Sequence, residues 1–168
     1  MAEDEAARVA TNTIEDVTSA HVVGQGEMPC IVVVHVLSAS GLAKKDLSGK
    51  SDPYVILKCG QAKEQKSKVV RKTLKPVWDN AHFQFSAVKA SDELVVTMLD
   101  KDKGSKDDVM GEVRVLVSEM DGQKHSHKLQ PTWKGCKVPK GELTMTCTSL
   151  SVGACTQPTL VRYKTLMH

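Results

Sequence analysis

Between Cys30 and Leu150 the chain is cut into short runs rich in valine, leucine and threonine, most of them bounded by turn-forming residues, and this cadence constrains the fold more than any other feature. "CIVVVHVL" is β-branched almost throughout and reads as a strand buried on both faces or nearly so. "DPYVILKCG" alternates, with Val55, Leu57 and Cys59 on one face and Tyr54, Ile56 and Lys58 on the other. "QKSKVV" reads as a third strand and "TLKPVWDN" as the turn after it. "AHFQFSAV", "DELVVTMLD", "GEVRVLVSEM", "HSHKLQ" and "GELTMTCTSL" complete eight strands, with no convincing helix among them. The expectation is an all-β, eight-stranded antiparallel sandwich whose loops gather at its two ends.

Composition sets the outer limits. A chain of 168 residues, 40% apolar and 26% charged, has the size and balance of one globular domain with tails. Residues 1–28 read as a polar N-terminal tail, 29–150 as the domain and 151–168 as a C-terminal tail. Ala6, Val9, Ala10, Ile14 and Val17 hint at a weak helix that "TNT" interrupts. The net charge of +3 points to no nucleic acid, so any electrostatic function must come from local clustering. The longest apolar run, around Ile31–Leu37, is far short of a membrane span, and the acidic start "MAEDEAARVA" is unlike a secretory signal. Five cysteines without a C-x-x-C pair fit free thiols in a reducing, cytoplasmic setting. His125 and His127 share a strand face and Cys136 follows, but no second ligand set has metal spacing, so zinc is not expected.

Charge is concentrated in "DKDKGSKDDVMGE", where four aspartates and three lysines occupy nine positions directly after a buried strand. Asp100 and Asp102 point the same way, and the carbonyl of Lys101 lies between them. Asp108, beyond the turn at Gly104 and Ser105, faces back across the loop. Asp46 and Asp52 bracket a second turn in "KKDLSGKSDPYV". If both loops lie at one end of the sandwich, five carboxylates converge. Like-charged pairs at about 4 Å repel by about 4 kcal/mol at an effective dielectric near 20. A hard cation offsets this, and carboxylate and carbonyl oxygens suit calcium. An EF-hand is excluded, because counting from Asp100 puts Ser105 where glycine is required and Gly111 where glutamate is required.

"SASGLAKKDLSGKSDPYVILKCG", "KTLKPVWDN", "DKDKGSKDDVMGE" and "GELTMTCTSL", in this order, resemble the C2 domain, the calcium- and phospholipid-binding module. The resemblance implies an eight-stranded Greek-key sandwich, here of the type II permutation and in a stand-alone protein. It implies calcium ligation by Asp46, Asp52, Asp100, Asp102 and Asp108, with the Lys101 carbonyl and the Ser105 hydroxyl added. Asp107, next to Asp108, is expected to point away into solvent. Trp78 and Pro76 are expected in the core and a turn.

A second family site, a basic face that binds phosphoinositides, falls on Tyr54, Lys58, Lys66 and Lys68. Ile56 stands where a further lysine is common, and Leu99 where inositide-selective members carry an aromatic residue. At the loop tips Leu47 is the sizeable apolar residue, while Lys103 and Lys106 crown the third loop, so the bilayer contact should be electrostatic. The function implied is calcium-dependent recruitment of a cytosolic protein to anionic membranes, rich in phosphatidylserine or phosphoinositides. The competing reading is a calcium-independent adaptor whose fold and tails bind a protein partner. No nucleophile elbow, phosphate loop or metalloprotease motif argues for an enzyme.

Overall fold

The structure, a computed structural model, describes residues 28–43, 50–102, 104–132 and 138–151. These form eight strands: β1 (Cys30–Ser40), β2 (Pro53–Cys59), β3 (Gln65–Lys66), β4 (Val77–Val88), β5 (Glu93–Asp100), β6 (Asp108–Leu116), β7 (Asp121–Lys128) and β8 (Glu142–Ser151). A single 3-10 turn, Val117–Glu119, interrupts them between β6 and β7. The strands build two four-stranded antiparallel sheets, ordered β4-β1-β8-β7 and β3-β2-β5-β6. Residues 1–27 and 152–168, nearly all of the two expected tails, lie outside the described residues.

Period-two patterning explains which side of each sheet is buried. In β1 the residues Cys30, Val32, Val34 and Val36 are buried, and the intervening Ile31, Val33 and His35 are only partly covered. In β2, Val55, Leu57 and Cys59 fill the space between the sheets against Leu94, Val96 and Met98 of β5. Phe85 from β4, Met110 from β6, and Leu143 and Met145 from β8 complete the core. Cys30, Cys59 and Cys147 are free thiols. Burial pushes Cys59 up to about 11 and Cys147 up to about 12, so both behave as apolar core groups.

Two elements depart from expectation at their ends. Only Gln65 and Lys66 of "QKSKVV" pair as a strand. Beyond them the Ser67 hydroxyl accepts the Val55 N–H at 3.0 Å, so a side chain takes the place of a ladder carbonyl. β4, by contrast, starts at Val77, inside the expected turn. Val36 lies opposite Ala81 and Ser38 opposite Val77, so four steps on β4 match two on β1. Asn80, at a φ of 60°, absorbs the surplus as a bulge. The bulged segment seals one side of the sandwich, since Trp78 Nε1 donates to the Lys68 carbonyl at 2.9 Å and Gln65 Nε2 to the Gln84 carbonyl at 2.7 Å. Trp78 is buried, as expected.

Register decides where the loops lie. Cys30 pairs with Ser151 at one end of the β1–β8 ladder, and Ser40 pairs with Glu142 at the other. Pro53 and Asp108 both pair with Asp100, so the start of β2, the end of β5 and the start of β6 meet side by side. The loop entering β2 and the loop joining β5 to β6 therefore emerge together.

Gly111 secures this end. Its φ is +146°, and a Cβ there would stand 2.9 Å from the Cβ atoms of both Leu129 and Pro139. Both are atoms bound directly to backbone, which cannot swing aside. Gly111→Ala should therefore cost about 1–3 kcal/mol of stability. Urea unfolding of the two proteins would measure the difference, and equal midpoints would show that the packing there is looser than described.

Candidate metal and membrane site

The site begins with a clasp between two loops. The Asp52 N–H donates to Asp100 Oδ1 at 2.6 Å, and the Lys101 N–H donates to the Asp52 carbonyl at 3.0 Å. Asp52 in turn accepts the Lys72 N–H at 2.7 Å through Oδ1, with Lys72 held at a φ of 56°. Asp100 is 1% exposed. A carboxylate buried to that degree needs strong compensation, and the short bond from Asp52 supplies part of it.

Asp102 is half-buried beside the clasp, while Lys101, Ser105, Lys106 and Asp108 are exposed around it. Thus Asp52, Asp100, Lys101, Asp102, Ser105 and Asp108 all belong to this one end of the sandwich. Asp46, Leu47 and Lys103 lie outside the described residues. Among those described, no group of three or more histidine, cysteine, aspartate or glutamate side chains is gathered closely enough to hold a metal ion. The hydrogen bonds show what the carboxylates do meanwhile: Asp52 and Asp100 each take a backbone N–H from another segment. The candidate donors are nonetheless all oxygen, the buried Asp100 carboxyl among them, which is the chemistry a hard divalent cation matches.

Asp107 requires a correction. It does face away from Asp108, as alternation demands, but not into solvent. Tyr54, Leu99 and Val109 are register neighbours, and Asp107, two residues before Val109, is on their side of the sheet. Its carboxylate accepts the Tyr54 hydroxyl at 2.7 Å, the Lys101 Nζ at 3.0 Å and the Asp102 N–H at 3.1 Å. The Tyr54 bond, aided by Lys101 and Asp102, holds the Asp107 carboxyl below its usual range despite partial burial. Tyr54 is pushed up to about 12, by burial first and then by Asp107, so its hydroxyl remains a donor. Alternation gave the direction of Asp107 correctly. The tyrosine waiting there comes from a strand about 50 residues away, which no local pattern encodes.

The three lysines of the expected basic face line two different grooves. Lys66 and Lys68 are exposed beside Asn80 and His82 in a groove of about 260 Å³ along the sealed edge. Lys58 lines a groove of about 450 Å³ on the outer face of the second sheet, together with Glu64, Glu93, Glu112 and Arg114. Arg114 there is bound to Glu112 at 2.8 Å and to Glu93 at 3.0 Å, so its charge is already met. Glu112 is two residues from Arg114 on β6, so that pair is legible from strand alternation, whereas Glu93 comes from β5. At the opposite sheet edge, His125 Nε2 sits 2.9 Å from the Asp121 carboxylate.

The C2 domain family model matches residues 30–135, which takes in the clasp and β1 through β7. The chain belongs to the C2 domain family. A C2 and GRAM domain-containing protein of Arabidopsis thaliana is 42% identical over 118 residues, which is 67% of this chain and 11% of that protein. A calcium-dependent lipid-binding protein of the same plant is 33% identical over 90 residues, covering 54% and 18%. Elicitor-responsive protein 3 of Oryza sativa subsp. japonica is 39% identical over 85 residues, covering 50% and 58%. The chain thus spans less than two thirds of the length of each of these relatives. Among solved structures, the C2A domain of a plant Extended Synaptotagmin 1 superposes with a TM-score of 0.65 at 25% identity, over 76% of this chain and 98% of that one. Calcium-bound Extended-Synaptotagmin 2, C2A and C2B domains, gives 0.62 at 27% identity, over 75% and 48%. Fold and family together make this chain a C2 domain. Among the described residues no helix is long and apolar enough to cross a membrane.

Asp100 is the test of the clasp. Asp100→Ala removes the acceptor of the Asp52 N–H and should cost about 1–3 kcal/mol in chelator. Asp100→Asn keeps an acceptor and relieves repulsion, so it should cost less. Thermal melts in excess chelator compare them, and an alanine variant more stable than wild type would show that repulsion outweighs the bond.

Proposed function

We propose that this C2 domain binds anionic phospholipid membranes in a calcium-dependent manner and so recruits a cytosolic protein to the bilayer surface. The observation that carries the reading is the clasp, which joins Asp52 to the nearly inaccessible Asp100 at the loop end to which Asp102 and Asp108 also belong. A relative named for calcium-dependent lipid binding and a structural neighbour with calcium bound support it. In this proposal the cation is held by Asp46, Asp52, Asp100, Asp102 and Asp108, with the Lys101 carbonyl and the Ser105 hydroxyl. Calcium would supply positive charge at an acidic end and a bridge to lipid phosphate.

The chain's own residues set how the membrane is held. Leu47 supplies at most about 1.5–3 kcal/mol if fully inserted. Each lysine near an anionic surface supplies about 1 kcal/mol, and Lys44, Lys45, Lys50, Lys103 and Lys106 lie on or beside the loops. Charge therefore outweighs insertion. Lys66 and Lys68, in the edge groove, are proposed to add affinity for phosphoinositides; Tyr54 and Lys58 face other partners in this structure and contribute less. We further propose the type II strand order, consistent with the pairing of first and last strands, a domain spanning 29–150, and a binding role rather than a catalytic one.

Calcium should raise the thermal midpoint by mass action, and Asp100→Asn combined with Asp102→Asn should abolish the rise. Sedimentation with phosphatidylserine vesicles should require calcium and weaken from 0.1 to 0.5 M salt, as the Debye length shrinks from about 10 Å toward about 3 Å at 1 M. A midpoint indifferent to millimolar calcium defeats the proposal, and vesicle binding that persists in chelator favours the adaptor reading. Lys66→Ala with Lys68→Ala should weaken binding to phosphoinositide vesicles while sparing calcium-dependent phosphatidylserine binding. Equal loss on both lipids would reduce the pair to a general basic surface.

A further inference from the structure

The two successive peptide units that meet at Lys101 are each held by a hydrogen bond. The Lys101 N–H is committed to the Asp52 carbonyl, and the Asp102 N–H to Asp107 Oδ1. A trans peptide is planar, and its C=O and N–H point in opposite directions. Pulling the Asp102 N–H toward Asp107 therefore turns the Lys101 carbonyl away from Asp107. Asp107 is itself immobilised, since the Tyr54 hydroxyl and the Lys101 ammonium hold its two oxygens. Its side chain is 16% exposed, so these bonds face little competition from water.

We propose that Asp107, braced by Tyr54, is a positioning residue for the calcium site, fixing the orientation of the Lys101 carbonyl and the Asp102 backbone without touching the ion. The inference rests on the calcium reading above. It also gives Lys101 a second duty: its ammonium neutralises Asp107, so that the brace adds no uncompensated negative charge beside the ligands. The Tyr54 hydroxyl links the loop to a core strand, so the loop's geometry is set before any cation arrives. Groups that orient a metal's ligands in this way are worth about 10–100-fold in affinity.

Calcium calorimetry, terbium luminescence and melts in chelator, applied to wild type and three variants, test it. Asp107→Ala should weaken calcium binding about tenfold or more. Asp107→Asn, which retains an oxygen for the Asp102 N–H, should recover most of that loss. Tyr54→Phe, which leaves the ring packed, should shift affinity in the same direction as Asp107→Ala. Terbium lifetimes in H₂O and D₂O should reveal an additional bound water in Asp107→Ala, because the carbonyl no longer faces the ion. The chelator melts identify any variant that has lost its fold, and the milder Tyr54→Phe and Asp107→Asn proteins then carry the comparison. Asp107→Ala with wild-type affinity and hydration overturns the inference while leaving the calcium reading intact. So does Asp107→Asn falling as far as Asp107→Ala, which would mean that charge alone matters. A wild type that binds neither ion overturns the calcium reading, and this inference with it.

Discussion

The bond from the Asp52 N–H to the Asp100 carboxylate, 2.6 Å long, holds together two loops that the chain separates by 48 residues. Everything proposed for this end of the molecule depends on it. Its strength comes from place as much as from charge: Asp100 is out of reach of water, so little competes for its oxygen. The reciprocal bond from the Lys101 N–H to the Asp52 carbonyl closes the link in the other direction. Two backbone segments and one carboxylate thus define the relative position of the loops before the exposed side chains, Ser105, Lys106 and Asp108, are considered.

The clasp works only because the sheets present its parts in register. Pro53 opposite Asp100, and Asp100 opposite Asp108, are consequences of how β2, β5 and β6 pair over their whole lengths. That pairing is held by the core behind it, where Val55, Leu57, Val96 and Met98 are fully enclosed. A slip of one residue would turn Asp100 outward together with Leu94, Val96 and Met98, exposing the apolar face and breaking the clasp. Stability and site geometry are therefore specified by the same alternation. The bulge in β4 and the indole of Trp78 serve the far edge in a comparable way, closing the side on which Lys66 and Lys68 stand.

Electrostatic balance differs sharply between the two outward surfaces. At the loop end, carboxylates are concentrated and the described bonds to Asp52 and Asp100 come from backbone N–H groups rather than from cationic side chains. On the outer face of the second sheet, acidic and basic groups are interleaved, and Arg114 is shared between Glu93 and Glu112. On a surface of the first kind, backbone N–H groups soften the repulsion between Asp52 and Asp100, and Lys101 offsets Asp107. A surface of the second kind has already cancelled much of its own charge, and it offers an anionic headgroup little net attraction.

The sequence by itself determined the fold class, the eight strands and their buried faces, because alternation is a local property that each run carries within a few residues. It also singled out the acidic loops, since charge clustering is visible without coordinates, and it gave the direction in which Asp107 turns away from Asp108. Only the tertiary structure decided what each side chain meets there. Asp107 meets Tyr54 and not water; Lys58 meets a groove rich in glutamate; Lys66 and Lys68 stand beside β4. The length of β4 and the brevity of β3 were also set by packing, through a bulge and a serine hydroxyl in place of a ladder carbonyl. These outcomes depend on register between strands distant in the chain, and register is fixed by the sum of contacts across both sheets rather than by any single segment.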